Sequence, residues 1–152
     1  MRTLLITALA TAFLWLSAGA QPAAASSLAP LSSPDQLAEL IGTGDPLVLD
    51  IRGGKVEDGR IPGAVSAPYG SFRGPKENPG ELLSDARFTE LFRSLGIEEN
   101  RPTVIVHQGR DETDFGAAAR VYWTLKSAGV KNLSILNGGM NAWLKTGTRA
   151  VQ

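Results

Sequence analysis

Cysteine is absent from all 152 residues, and histidine occurs once, at position 107. Without cysteine the chain has no disulfide framework, no thiol nucleophile, no persulfide carrier and no thiolate metal site. Stability must come from the core alone, which a chain of this length can build as one domain. Neither sign of charge is in excess: Lys+Arg and Asp+Glu both number 15, for a formal net charge of zero. That balance carries no electrostatic footprint for nucleic acid or anionic lipid. Apolar residues make up 43% and charged residues 20%, an ordinary globular composition.

The longest uncharged apolar run is Leu4 to Leu16, preceded by Arg2 and followed by the small-residue triplets Ala18-Gly19-Ala20 and Ala23-Ala24-Ala25. A basic start, an apolar stretch and small-residue cleavage sites are the anatomy of a secretory signal peptide. The run is too short for a bilayer span, which needs roughly 17–25 residues. Residues 1–25 are therefore expected to be a signal peptide and 26–152 the mature domain, periplasmic or secreted and free of the membrane after cleavage. Lipidation is excluded because no cysteine can accept it. Cleavage removes Arg2 and leaves one more acidic than basic residue.

After a small-residue stretch over 21–33, the chain alternates helical and strand patterns. Ser33-Pro34 reads as an N-cap with proline in the first turn, opening a short helix to about Ile41 that stops at Gly42. Leu47-Val48-Leu49, ending in Asp50, is a continuous apolar run and reads as a buried strand. Ala64–Ala67 follows a Pro62-Gly63 turn as a second strand, and 70–80 is rich in Gly and Pro and reads as a long surface loop. Phe88, Leu91, Phe92 and Leu95 form one stripe of a helix capped by Ser84 and ended by Gly96. Val104-Ile105-Val106 is the next buried strand. A helix from about Asp114 to Ala128 has Phe115, Ala118, Ala119, Tyr122 and Leu125 on its inner face. Leu133–Leu136 is a further strand, and a last helix covers about Met140–Lys145. Apolar strands alternating with helices imply a parallel α/β sheet covered on both faces.

Three segments in register resemble the rhodanese-like family: Leu49-Asp50-Ile51-Arg52, Gly59-Arg60-Ile61-Pro62-Gly63-Ala64 and Gly138-Gly139-Met140-Asn141-Ala142-Trp143. Together they cover about residues 33–147. The resemblance implies a three-layer α/β/α domain with a parallel sheet of about five strands. It also implies a cysteine nucleophile after Val104-Ile105-Val106-His107, wrapped by a loop of backbone N–H groups. Gln108 stands at that position. Arg60 also stands where the family's second segment carries histidine. The run Phe115 to Leu125, followed by Leu133 to Gly139, is similar to the N-terminal, cysteine-free domain of tandem thiosulfate sulfurtransferases.

Gln108 cannot be ionised into a nucleophile, so no catalytic residue is expected in this chain. Asp50, Arg52, Arg60, His107, Gln108, Gly109 and Arg110 are the candidates for a relict anion or partner site. Each has a plainer alternative. Asp50 with Arg52 and Arg60 could be a structural ion cluster, and His107 a strand-end side chain bonded locally. Asp111, Glu112 and Asp114 could bind a hard cation, but their spacing fits no EF-hand loop and suits a solvated acidic loop or helix N-terminus better. No metal or cofactor is expected. In the loop these carboxylates should repel an anionic substrate. Tyr122 and Trp123 suit core and interface better than a ligand cage.

Two functional readings follow. In the first, the chain is an exported, non-catalytic rhodanese-like module that packs against or regulates a catalytic rhodanese domain, or binds another exported protein. In the second, it is the N-terminal part of a thiosulfate sulfurtransferase whose cysteine lies in a following domain. A hydrolase using His107 is a third class without further support in the sequence.

Overall fold

The computed structural model describes residues 27–54, 59–145 and 151; the expected leader lies outside them. Five strands form one parallel sheet: β1 (Leu31–Ser32), β2 (Leu47–Asp50), β3 (Val65–Ser66), β4 (Thr103–Val106) and β5 (Leu133–Leu136), in the spatial order β1-β5-β4-β2-β3. The α-helices are α1 (Pro34–Thr43), α2 (Asp85–Leu95), α3 (Glu112–Ser127) and α4 (Gly139–Leu144). A 3₁₀ turn covers Tyr69–Phe72.

The three layers follow from the alternation of side chains along each strand. Leu47, Leu49, Ile105, Leu133 and Ile135 point to one face, where they meet Ala118, Val121 and Leu125 of α3, with Leu91, Phe92 and Leu95 of α2 packed at the margin. Val48, Val104, Val106 and Leu136 point to the other face, against Leu37 of α1 and Met140 and Trp143 of α4. Strands β2, β4 and β5 are buried along their whole length, as their apolar runs require.

Several boundaries differ from the sequence expectation. Helix α1 passes through Gly42 and ends at Thr43, because Gly44 N–H closes onto Leu40 O at 2.9 Å and Thr43 Oγ1 onto Glu39 O at 2.8 Å. Its start is a full capping box: Gln36 N–H donates to Ser33 Oγ and Ser33 N–H to Gln36 Oε1. Strand β1 lies within the small-residue stretch over 21–33, pairing with β5 through Leu31 and Ser32; two residues are too few to show a period. The loop over 70–80 begins inside the 3₁₀ turn, whose Phe72 is fully buried. Ser84 is the N-cap of α2 by position, but its side chain makes no capping bond. Helix α3 starts earlier, with Asp111 as N-cap accepting from Asp114 N–H. Phe115, assigned to the inner face, is 39% exposed, and Val121 takes the core place instead.

All strands being parallel, their carboxyl ends share one edge. The chain leaves β2 toward β3 on one side and β4 toward β5 on the other, so β2 and β4 flank the crevice where open α/β sheets place their sites. Helix α4 is docked beside that crevice. Met140 N–H donates to His107 O at 2.8 Å and Asn141 N–H to Gln108 O at 2.9 Å. The approach needs glycine: a Cβ on Gly139 (φ +59°) would lie 2.4 Å from His107 O and 2.7 Å from Gly109 N. Gly139→Ala is therefore expected to cost about 2–4 kcal/mol, from a left-handed backbone plus a backbone clash. Urea denaturation checks it, and an unchanged midpoint would refute the packing described.

Candidate functional site

Asp50 ends β2 and is 1% exposed. A buried carboxylate is tolerable only when paired and hydrogen-bonded, and Arg52 supplies the pair. Its Nη2 is 2.7 Å from Asp50 Oδ2 and its Nε 2.9 Å from Oδ1, a two-pronged contact, while Arg52 N–H also donates to Oδ1. The Arg52 side chain is itself 4% exposed. Its remaining donors go to Gly59 O at 2.7 Å and Gln108 Oε1 at 3.2 Å. Arg60 places Nε 3.2 Å from Asp50 Oδ2 and Nη2 3.2 Å from Ser66 Oγ. The Nε contact is an ion pair rather than an aligned hydrogen bond, since that nitrogen has no hydrogen-bond partner by geometry. Arg60 thus ties the carboxyl ends of β2 and β3, and Arg52 ties β2 to the loop after β4.

Gln108 is bonded at both ends of its amide. Oε1 accepts from Arg52 Nη1, and Nε2 donates to Asn141 Oδ1 at 2.9 Å. Asn141 Nδ2 donates in turn to Gly109 O at 3.2 Å. The relay Asp50–Arg52–Gln108–Asn141–Gly109 crosses the crevice from strand end to loop to helix. The polar atoms of Gln108 are thus spent on neighbours.

On the other side of the loop, Asp114 turns inward from the first turn of α3. Its Oδ2 accepts from Gly109 N–H at 2.5 Å and Arg110 N–H at 3.1 Å, and lies 2.9 Å from His107 Nδ1. Gly109 N is also 3.2 Å from His107 Nδ1. Both contacts cannot be full hydrogen bonds while Nδ1 donates to the carboxylate, and the shorter, charge-assisted one prevails. Burial disfavours the charge on Asp114, but the His107 bond and the two loop amides outweigh it and hold its carboxyl below the ordinary 3.8. His107 is 3% exposed, its ring edge-on to Phe115 at 5.7 Å, and its Nε2 meets no hydrogen-bond partner among the described residues.

The seven sequence candidates therefore form two groups. Asp50, Arg52, Arg60 and Gln108 come together, and Gly109 joins them through Asn141. His107 and the Arg110 amide belong with Asp114, and the Arg110 guanidinium stays in solvent, 3.9 Å from Asp114 Oδ1. Two participants were missed. Asn141 sits inside the Gly138–Trp143 segment, which was read only as scaffold. Asp114 was read as a surface charge repelling anions; its spacing from Asp111, N-cap to third helical residue, was the signal that it turns back on the loop. The acidic triplet is not one cluster: Asp111 and Glu112 are exposed while Asp114 is mostly buried.

The sequence from residue 33 to 146 matches the rhodanese-like domain family. The chain belongs to that family. Its relatives include a putative thiosulfate sulfurtransferase of Synechococcus elongatus, 30% identical, with the match covering 88% of this chain and 41% of the relative. Bovine thiosulfate sulfurtransferase is 40% identical over 57% of this chain and 29% of its own. The chain thus spans less than half the length of these curated relatives. Among solved structures, SseA from Escherichia coli superposes with a TM-score of 0.63 at 24% identity, over 80% of this chain and 50% of that one. The human single-domain sulfurtransferase TSTD1 superposes with 0.53 at 19% identity, over 77% and 96%. At these identities the structures establish the rhodanese fold alone.

Removing the Asp50 charge should expose how much the crevice depends on it. Asp50→Asn leaves Arg52 and Arg60 without their counter-charge and is expected to cost about 3–5 kcal/mol. Gln108→Ala, which strands an Arg52 N–H and the Asn141 Oδ1, should cost about 1–3 kcal/mol. Equal, negligible losses in chemical denaturation would rule out the relay as a structural element. Asp114 adds a pH dependence. With its folded pKa depressed, its stabilisation is complete above the unfolded value near 3.8 and is lost as pH falls through the lower folded value. Wild-type stability should fall across that acid range more steeply than that of Asp114→Asn, which parallel pH series would show.

Proposed function

We propose that this chain is an exported, non-catalytic rhodanese-like domain acting as a structural, regulatory or binding module of sulfur-transfer chemistry. The observation that carries this reading is Gln108: it stands where the family's nucleophile is expected, and its amide is bonded to Arg52 and Asn141. With no cysteine anywhere in the sequence, no side chain can carry a persulfide. Export rests on the apolar stretch Leu4–Leu16 and its flanks. Among the described residues no helix is long and apolar enough to cross a membrane.

The His107–Asp114 pair has the orientation of a general base and its orienting carboxylate. Nε2, the atom such a base would use, is buried, which speaks against the hydrolase reading.

A second reading is favoured by the lengths of the relatives and by one surface feature. Trp123 is 48% exposed on the outer side of α3, with the Arg120 guanidinium 4.7 Å from its ring centroid, while the adjacent Tyr122 packs into the core. An exposed tryptophan under an arginine is the composition of an interface anchor. On this reading the chain is the N-terminal part of a thiosulfate sulfurtransferase, with Trp123 toward a catalytic rhodanese domain.

The purified protein should form no thiocyanate from thiosulfate and cyanide above a protein-free blank, and Gln108→Cys should not restore good turnover. Robust activity in the wild-type protein would overturn the non-catalytic reading. Fractionation of native cells, followed by intact-mass measurement, addresses the rest. A processed protein below 16.1 kDa outside the cytoplasm is expected. A species near twice that mass would favour the second reading, and an unprocessed cytoplasmic species would remove export.

A further inference from the structure

Helix α3 carries an uncovered outer face. Val121 and Leu125 point to the sheet, and on the opposite side Trp123 is 48% exposed. At about 100° per residue, Glu112, Gly116, Ala119 and Trp123 share one outer stripe about 60° wide, with Lys126 at its margin. Apolar surface extends both flanks: Phe115 is 39% exposed on one, and on the other Leu82 is 40% exposed beside the Glu81 carbonyl that Arg120 approaches. Gly116 is the odd member of the stripe. Glycine inside a helix weakens it, and a Cβ there would meet nothing within 4 Å among the described residues. The described chain makes no use of the space this glycine leaves.

We infer that this face is a self-association surface, on which a second copy of the chain docks its own α3 antiparallel about a two-fold axis close to Ala119. The order of charged, small and aromatic residues carries the inference. An isologous contact sets residue i against j and j against i, and in an antiparallel helix pair the two members of each contact are equally far from the axis. Glu112 and Lys126 lie seven positions either side of residue 119, and Gly116 and Trp123 lie three and four. Glu112 of each copy therefore meets Lys126 of the other, each indole covers the other copy's Gly116, and the two Ala119 methyls meet at the axis. A parallel pair would instead set Glu112 against Glu112 and Lys126 against Lys126. The antiparallel pair also opposes the two helix dipoles favourably. Small residues at the crossing let two helices approach closely, which is the use that Gly116 lacks within one chain. Arg120 is held over its own indole and on the Gly80 carbonyl, so the ring is ordered before docking. One helix face is small against the roughly 1,200 Å² of a stable interface, so the dimer is weak and concentration-dependent. The inference goes beyond the non-catalytic reading and competes with the second reading for the same tryptophan.

The test is sedimentation velocity on the purified protein and three kinds of variant, over about 1–300 µM, where weak interfaces of this size associate. The wild type should pass from monomer to dimer across that range. Glu112→Lys and Lys126→Glu should each weaken association about fivefold or more, and the double variant Glu112→Lys/Lys126→Glu should return to within about twofold of wild type. Local helix effects cannot mimic that rescue, because both reversed charges oppose the α3 dipole and the double variant carries both. Gly116→Gln should separate the two properties: its thermal midpoint should hold or rise, while association falls about tenfold or more. A wild type that stays monomeric throughout would overturn the inference and leave this face to the catalytic domain of the second reading. A dimer indifferent to Gly116→Gln, or a double charge variant no better than the single ones, would equally overturn it. Thiocyanate production is not a readout here, so failure of this inference and failure of the non-catalytic reading are told apart.

Discussion

The crevice of this domain is organised by one buried charge, the Asp50 carboxylate at the carboxyl end of β2. A carboxylate removed from water costs several kcal/mol unless its lone pairs are met, and here two arginines and a backbone amide meet them. The cost of Asp50 is thus transmitted to its partners. Arg52, buried in turn, must place its remaining donors on Gly59 and Gln108, and Gln108 must place its amide on Asn141. Each step satisfies a polar group that the previous step buried. The elements at the sheet edge are held by this succession of obligations more than by any favourable ion-pair energy, since a buried pair is seldom worth more than the apolar residues that could replace it.

The same network shows how a rhodanese-like domain without cysteine fills the position after His107. The position after His107 lies between a buried guanidinium and the docked start of α4. A residue there faces a donor on one side and a side-chain amide on the other. Glutamine offers both an acceptor and a donor, so it completes the network where a thiol could not. The amides on the far side of the same loop face a second requirement, and Asp114 meets it. Most polar groups around this loop are met by the chain's own residues, whereas His107 Nε2 beside it and Arg60 Nε at the crevice have no hydrogen-bond partner among the described residues.

Much of the scaffold was legible because it rests on local pattern. Leu47–Leu49, Val104–Val106 and Leu133–Leu136 are apolar runs of strand length, and the structure places strands on each. Gly138-Gly139 was read as a tight turn, and both carry positive φ. What escaped was set by contacts distant in sequence. Strand β1 exists because β5 offers an unpaired edge, and Phe115 is displaced from the core because the His107 ring and the loop lie beside it. Within the site, the Asp50–Arg52–Arg60 grouping was open to inspection as a charge cluster. The bond between Gln108 and Asn141, 33 positions apart, was not, because two neutral amides carry no signal until the fold brings them together.

The exposed surface then becomes the place to look for what this domain does. Most polar groups of its crevice are bonded within the chain, so an external ligand would have to displace bonds already made, losing on entry part of what it gains. Trp123 is under no such constraint. Its indole is half exposed, the Arg120 guanidinium of the same helix lies over its ring, and that cation also reaches the carbonyl of Gly80 on the facing loop. Arg120 thereby holds α3, the loop and the tryptophan in one arrangement before any partner arrives. A side chain ordered in advance loses less entropy on binding than one that must be fixed by the encounter. Surface area of this kind is free of the internal bonds that hold the crevice together.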